Sequence, residues 1–524
     1  MGKIIAFHLL FVFCFCSPQK TGTQNQAPTA SEFDNYISLI GKVFKDGSQD
    51  FYPMIMNYSV DLLCDPDLFA TPRRKYHPFY GENKGESKSP WGSDAAKTHA
   101  MIQQHFYNIK KMGFNGIRLT GFTATDHFDG EFKTWNNLDV SNSVLGNKNI
   151  DTAIIPLLKK ILKLAENAGL RVILLISGVE NQIDNQHNYY TKIAEALSNE
   201  KTLFAYDLYN EPVYFDRGRY TKLETYHFIK NYNDIIKSVA PNHLTTIGLT
   251  HYKIVYEWDP ELMEVDFLSF HAYPYWSKDL SLLERFESKL YWISNNISKP
   301  WIVGETGLNT VVECDPLNLA VGTEEHQLQF MKYSLEKFRS AGASGYSWWN
   351  YQDSRKNPSE NCPNWDRYGL VSSKKEGAFE DGYIGKLKHN IEDLPFSLFL
   401  ANSPYRGMLD TIQMPPEEHY YNIDYLPTHK NAVGKIIDIS GKPIEDAIIT
   451  LQNTISNTQY STFSRPDGTF DLKTGWTNIF NHLDFILRVT AVKKNTVEIA
   501  LEKVYSGHDN KFIDIVLLDF ELEK

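Results

Sequence analysis

Leu203-Phe204-Ala205-Tyr206-Asp207-Leu208-Tyr209-Asn210-Glu211-Pro212 is an apolar, aromatic run too short for a helix and ended by a turn residue. That is the pattern of a buried strand. Pro212 has no N–H to continue a ladder, so the strand stops there and Glu211 stands at its C-terminal tip. A second run has the same form. Lys299-Pro300-Trp301-Ile302-Val303-Gly304-Glu305-Thr306-Gly307 is a short apolar strand ending in Glu305, with Gly304 and Gly307 on either side.

Working outward from these two runs, eight strand candidates appear: Phe51–Asn57, Phe114–Leu119, Arg171–Ile176, Phe204–Tyr209, Leu244–Gly248, Asp266–Phe270, Trp301–Gly304 and Gly345–Trp349. Amphipathic segments lie between them, among them Asp94–Met112, Thr152–Ala168, Lys222–Val239, Leu280–Asn296 and Glu324–Ala341. Eight strands alternating with helices predict an α/β chain whose main domain is a (β/α)8 barrel over residues 33–400. The long stretches Cys64 to Ser93 and Thr120 to Asn149 are then βα loops, which lie on the catalytic face of such a barrel. Glu211 ends the fourth strand and Glu305 the seventh, so closure of the barrel lets the two carboxylates face each other across its mouth.

Composition narrows the chemistry. Lys and Arg total 53 against 64 Asp and Glu, and the net charge of −11 gives no basic field for nucleic acid. The chain is 42% hydrophobic over 524 residues, enough for a large core and too much for disorder. Ten Trp, 30 Tyr and 31 Phe exceed what a core alone requires, and flat rings suit sugar faces as well as packing. Met1-Gly2-Lys3 followed by the apolar run Ile4–Phe15 predicts an export signal over residues 1–16 and a polar tether over 17–32. Cys14 and Cys16 end that run, where an acylated Cys would tether the chain to a membrane; free secretion is the alternative, and the location expected is periplasmic, cell-surface or secreted. Cys64, Cys314 and Cys362 make neither a disulfide framework nor a zinc motif, although Cys314 and Cys362 fall in loops of one face and could pair. There is no glycine-rich phosphate loop, metal-spaced His/Cys cluster or Ser nucleophile elbow, so no cofactor and no metal are expected. Asp61, Asp65 and Asp67 lack the glycines of a calcium loop and read as loop caps.

Two carboxylates about 5 to 5.5 Å apart are what a retaining glycosidase uses, one attacking the anomeric carbon and one protonating the leaving oxygen. Their surroundings must differ, so that one keeps a proton near neutral pH while the other stays ionised. Further polar and aromatic residues sit at the other strand ends: Arg118 in Gly113–Leu119, His271 and Tyr273 in Phe270–Pro274, and Trp349 in Gly345–Asn350.

In that order the residues resemble the clan A glycoside hydrolases, and within them family five, the cellulase and mannanase family, over about residues 33 to 395. The resemblance implies Glu211 as acid/base after Asn210 and Glu305 as nucleophile. It implies Arg118, Asn210, His271, Tyr273 and Trp349 as substrate-binding and supporting residues, and Tyr368-Gly369-Leu370 as the segment after strand eight. Trp348 is the competing choice to Trp349, depending on strand register. One position departs: many members carry a His near the end of strand three, where this chain has Ser177-Gly178. Trp91, Trp135, Tyr275, Trp276 and Trp365 are candidates for outer sugar subsites.

Residues 401–428 are Pro- and Tyr-rich without periodicity, a linker or a packing wrap. Beyond them, over 429–524, the pattern changes to short alternating strands: Ala432–Asp438, Ala447–Gln452, Gln459–Ser464, Thr469–Leu472, Leu483–Val492 and Asn510–Phe520. This predicts a small all-β sandwich. Gly434–Asp438, Gly441–Ile444 and Arg465-Pro466-Asp467-Gly468-Thr469-Phe470 resemble the carboxypeptidase-regulatory-like (transthyretin-like) module, which implies a structural companion. The expectation for the whole is a monomeric, cofactor-independent retaining β-glycosidase acting on a polysaccharide or oligosaccharide of β-mannan or β-glucan type. An exo-acting enzyme on short oligosaccharides and a catalytically silent sugar-binding barrel are the alternatives.

Overall fold

The computed structural model describes residues 33–61, 71–72, 95–120, 155–176, 183–212, 220–274, 281–311, 321–353, 367–372, 386–402, 404–405, 411–423, 429–474, 484–501 and 512–521. Eight parallel strands form one sheet: β1 (Met54–Asp61), β2 (Gly116–Thr120), β3 (Arg171–Leu175), β4 (Leu203–Asn210), β5 (Leu244–Leu249), β6 (Leu268–His271), β7 (Trp301–Glu305) and β8 (Tyr346–Trp348). Neighbours in sequence are neighbours in space, and β8 pairs back onto β1. Between β7 and β8 the backbone bonds Ser344 N–H to Trp301 O (2.7 Å) and Val303 N–H to Gly345 O (3.1 Å) close the ring. The expected barrel is therefore present, with each strand within a few residues of its predicted place.

Helices α1 (Ala95–Lys111), α2 (Ile155–Asn167), α3 (Ile183–Leu197), α4 (Lys222–Val239), α5 (Ser281–Asn296) and α6 (Glu324–Ser340) surround the sheet. Local chemistry sets their starts. Thr221 caps α4 in a reciprocal pair: its N–H donates to Glu224 Oε2 (2.7 Å), and the Glu224 N–H donates to Thr221 Oγ1 (3.3 Å). Thr323 and His326 form the same box on α6. The β strands are buried almost throughout, which is why their sequences read as continuous apolar runs rather than alternating ones.

Two features depart from a plain alternation. Ahead of β1, three short antiparallel strands (Ile37–Ile40, Val43–Asp46, Gln49–Phe51) fold over the N-terminal end of the barrel. Ile37 and Phe44 join Ile55, Ile173, Phe204, Leu244, Phe267 and Ile302 from the strand starts in one apolar plug, and Arg171 pairs with Asp46 at 2.6 Å. Phe51, read from sequence as the start of the first barrel strand, belongs to this cap, because the break at Tyr52-Pro53 separates the two. Between β5 and β6, in place of a barrel helix, there is only a 3₁₀ turn, Tyr252–Tyr256.

The C-terminal strands are β9 (His429–Ile437), β10 (Ile448–Asn453), β11 (Gln459–Phe463), β12 (Thr469–Thr474), β13 (Phe485–Thr490), β14 (Val497–Ala500) and β15 (Phe512–Val516). They form a three-stranded sheet, β12-β9-β15, and a four-stranded sheet, β11-β10-β13-β14. Ile436, Phe470, Leu472 and Ile515 from the first share one core with Ile449, Leu451, Leu487 and Val489 from the second. The β9–β15 pair is parallel, so the smaller sheet is mixed.

The four-stranded sheet lies against the 3₁₀ turn, between α4 and α5. Tyr256 Oη donates to Thr450 Oγ1 (2.5 Å), Trp292 Nε1 on α5 donates to Asp446 O (3.0 Å), and Ile448 and Phe463 belong to the barrel's own core. Lys222, the first residue of α4 and buried, donates to Asp259 Oδ2 (3.1 Å), Thr490 Oγ1 (2.9 Å) and Ala491 O (3.0 Å). The described part of 411–423 packs on the same core through Ile412, Tyr420, Tyr421 and Ile423. No described helix is long and apolar enough to cross a membrane.

Candidate active site

The charged residues meet at the end of the barrel opposite the hairpin plug, where the C-terminal tips of the strands converge. β4 is not regular there: its pairing with β5 slips between Asp207 and Asn210. The slip lets Asp207 and Asn210, three residues apart, both reach the side chain of Arg118 on β2. Glu211 follows with φ of 51°, a left-handed conformation that a non-glycine residue adopts at a cost. Its N–H donates to Gly248 O on β5 (2.8 Å), which fixes the tip.

Arg118 is the hub, with a side chain 1% exposed. Its Nε donates to Asp207 Oδ2 (2.7 Å), Nη1 to Glu305 Oε1 (2.6 Å) and Asn57 Oδ1 (3.1 Å), and Nη2 to Asn210 Oδ1 (2.7 Å). Burial alone would lower the pKa of this guanidinium; the charges and hydrogen bonds of Asp207 and Glu305 outweigh it and hold the group above its ordinary value. Glu305 receives a second donor, Tyr273 Oη on its Oε2 (2.8 Å). The Tyr273 hydroxyl is pushed well above its usual range by burial and by the Glu305 and Glu211 charges, so it stays a donor.

Glu211 is treated differently. Its Oε1 shares a hydrogen bond with His271 Nδ1 (2.8 Å), and Arg118 bears on it only through its field. Burial raises its carboxyl from 4.5 to about 7. Burial likewise lowers His271 to about 4, the Glu305 charge only partly opposing the drop, so the imidazole is neutral around pH 7. The ring has room because two neighbours lack a Cβ: one on Gly248 would meet His271 Nε2 at 2.8 Å, and one on Gly304 would meet His271 Cδ2 at 2.9 Å.

Of the residues singled out from sequence, Glu211, Glu305, Arg118, Asn210, His271 and Tyr273 are brought together. One oxygen of Glu211, one of Glu305 and a ring nitrogen of His271 lie within 4.8 Å of one another. Such a trio could in principle ligate a cation, but Glu305 already accepts from a guanidinium 2.6 Å away, whose charge opposes a second one. Trp349 follows β8, partly exposed, with its N–H donating to Thr306 O (2.7 Å) and a cis peptide to Asn350. Its neighbour Trp348 points into the core, fully buried, with Nε1 donating to Tyr368 O (3.0 Å). The register thus leaves Trp349, not Trp348, at the mouth.

Two residues of the cluster were missed from sequence. Asn57 on β1, fully buried, donates through Nδ2 to Gly304 O (2.9 Å) and Trp348 O (3.1 Å), stitching β1 to β7 and β8. Asp207, also fully buried, was visible as the lone charge in an apolar strand, and a buried charge requires a partner. Ser177-Gly178, the aromatics Trp91, Trp135, Tyr275, Trp276 and Trp365, all five cysteines, and Asp65 and Asp67 lie outside the described residues.

The family model "Cellulase (glycosyl hydrolase family 5)" matches residues 75–353. No match is found among curated protein sequences. Among solved structures, a GH2 beta-galacturonidase from Eisenbergiella tayi shares 17% identity with a TM-score of 0.43, over 69% of this chain and 53% of that one. A beta-D-glucuronidase of Dictyoglomus thermophilum shares 15% at a TM-score of 0.42, over 72% and 55%. A β-glucuronidase from Ruminococcus gnavus shares 14% at 0.42, over 64% and 50%. The chain spans about half the length of these structures.

Proposed function

The chain belongs to the cellulase family, glycosyl hydrolase family 5, and is a glycoside hydrolase; from that premise we propose that it cleaves β-glycosidic bonds with retention, by double displacement. The observation that carries the retaining reading is the separation of the two carboxylates. One oxygen of Glu211 lies within 4.8 Å of one of Glu305, which fits the shorter of the two spacings. An inverting pair stands about 6.5–9.5 Å apart to leave room for a water, whereas a retaining pair stands at about 5–5.5 Å.

In the first step Glu305 attacks the anomeric carbon. The bond to the leaving oxygen breaks with its electron pair on that oxygen, which takes the proton of Glu211. In the second, water attacks the same carbon and gives a proton to Glu211, and the electron pair of the C–O bond returns to Glu305. Burial keeps Glu211 protonated up to about pH 7, which suits an acid. Arg118 and Tyr273 hold Glu305 by both oxygens and aim it. Asn210 has its Oδ1 committed to Arg118, so what it offers a bound sugar is its amide donor. Trp349 offers a ring face beside the scissile bond.

The substrate class we propose is a β-glucan or β-mannan, or oligosaccharides from one, handled outside the cytoplasm by a monomer, either secreted or tethered through an acylated Cys14 or Cys16. The C-terminal sandwich, with its resemblance to carboxypeptidase-regulatory-like modules, is assigned a structural role. The test is hydrolysis of a panel of soluble β-glucans, β-mannans and their oligosaccharides, with the anomer of the first-formed product read by NMR and the product lengths by chromatography. The expected first product is the β-anomer; an α-anomer formed first overturns the mechanism, and mixed-length products distinguish internal cleavage from release of single units.

A further inference from the structure

The mechanism above leaves one buried charge of the cluster without a role. Asp207 touches neither carboxylate, yet it is bonded to both of their supports. Its Oδ2 accepts from Arg118 Nε (2.7 Å), and Arg118 holds Glu305. Its Oδ1 accepts from Gly248 N–H (3.1 Å), and the carbonyl of Gly248 accepts from the Glu211 N–H (2.8 Å). One fully buried side chain thus braces the tip of β4 and the guanidinium that aims the tip of β7.

Resting on the double-displacement reading, we infer that Asp207 is a positioning residue whose specific task is to remain the counter-ion of Arg118 while Glu305 is esterified. In the resting site Arg118, Asp207 and ionised Glu305, with Glu211 protonated, sum to one negative charge. Once the glycosyl ester forms, Glu305 is neutral and Glu211 has given up its proton, so the sum is again one negative charge. Without Asp207 the guanidinium would have only Glu305 as a directly bonded counter-ion, and would lose it at the moment the ester forms, keeping only the field of Glu211, which it does not touch. A buried cation without a hydrogen-bonded counter-ion is costly. Asp207 removes that cost from the intermediate, and it also divides the pull of Arg118, so that Glu305 is not held too firmly to attack.

The consequence is asymmetric. Removing the Asp207 charge lets Arg118 stabilise the free Glu305 carboxylate more strongly, which slows its attack on the sugar and favours its departure from the ester. The charge that bears on Glu211 is Arg118 on β2, with Glu305 on β7 close to its carboxyl and neutral His271 and Tyr273 from β6 and its end. Deleting the negative charge that offsets Arg118 strengthens the pull of the guanidinium on Glu211 and moves that titration to lower pH.

The experiment uses the full chain and two probes, the 2,4-dinitrophenyl 2-deoxy-2-fluoro-β-glycosides of cellobiose and mannobiose. Adduct formation on Glu305 is followed by mass spectrometry, and return of activity after removing excess probe is timed. For Asp207→Asn the expected result is adduct formation slowed about 10- to 100-fold with reactivation as fast as wild type or faster, and a basic limb moved to lower pH. Equal slowing of both steps with an unmoved limb, or wild-type rates, overturns the inference while leaving the double displacement standing. If wild-type protein forms no adduct on Glu305 with either probe, the functional reading fails and the inference with it. Should Asp207→Asn not fold, Asp207→Glu decides: it keeps the charge and must keep the wild-type ratio of the two steps, and a ratio changed more than about tenfold overturns the proposal.

Discussion

The tips of β4 and β7 carry the same side chain in two environments. Glu305 receives a guanidinium on one oxygen and a phenol on the other. Glu211, one step past a slipped strand and in a left-handed conformation, shares only a hydrogen bond with an imidazole that is itself uncharged around pH 7. Donors spread and aim a negative charge; burial without a charged partner holds a proton. In the proposed mechanism, what stands within hydrogen-bond reach of each is what separates two glutamates of identical intrinsic chemistry into a nucleophile and an acid.

The sharpest way to break that contrast is to delete each carboxylate in turn. Glu305→Ala is expected to lose turnover by about 10⁴-fold or more, with added azide restoring product of inverted anomeric configuration. Retained turnover, or rescue with the β-anomer, would remove the distinction between the tips. Glu211→Ala should lose about 10²- to 10⁴-fold on glycosides with poor leaving groups, and far less on the first step of 2,4-dinitrophenyl glycosides, which need no proton. A loss independent of the leaving group would deny it the role of acid. Tyr273→Phe removes one of the two donors on Glu305 and should lower kcat about 10- to 100-fold with a smaller change in KM. The kcat/KM profile should fall as pH rises through about 7, where Glu211 loses its proton.

The smallest effect is on stability and has a definite sign. A carboxyl whose folded value is raised contributes stability that is complete below its unfolded value and lost as pH rises through the folded one. Glu211→Gln should therefore match wild type below about pH 4.5, become more stable through the interval, and level off above about 7. The advantage is at most roughly 3 kcal/mol, at about 1.4 kcal/mol per pH unit. A thermal-melt difference that does not depend on pH would show that burial is not what sets Glu211 apart.

The barrel could be read from the chain because its strands are buried on both faces and end in turn residues, so each stands out as a run such as Trp301-Ile302-Val303-Gly304-Glu305. The two glutamates were visible for the same reason: a carboxylate that ends an apolar run is conspicuous. The hairpin plug was not, since residues 37–51 are short, half-polar strands whose apolar positions make sense only against the strand starts they cover. Helix α3 has an apolar stripe diluted by Asn, Gln and His, and was not among the segments named. Asn57 could not be recognised, because its partners Gly304 and Trp348 lie far along the chain and meet it only on closure. The choice between Trp348 and Trp349 is a matter of one residue of register, which a strand as short as β8 does not reveal by pattern.

The missing helix between β5 and β6 gives the C-terminal sandwich the standing of a stave rather than an ornament. Its sheet supplies the wall that Tyr252, Tyr256 and Trp292 need, and α4 begins with a lysine whose partners include Thr490 at the end of β13 and the carbonyl of Ala491 just past it. A barrel cut after residue 400 would open along that seam and expose aromatic side chains to water, so the natural unit for expression, crystallisation or grafting runs through the last strand of the sandwich.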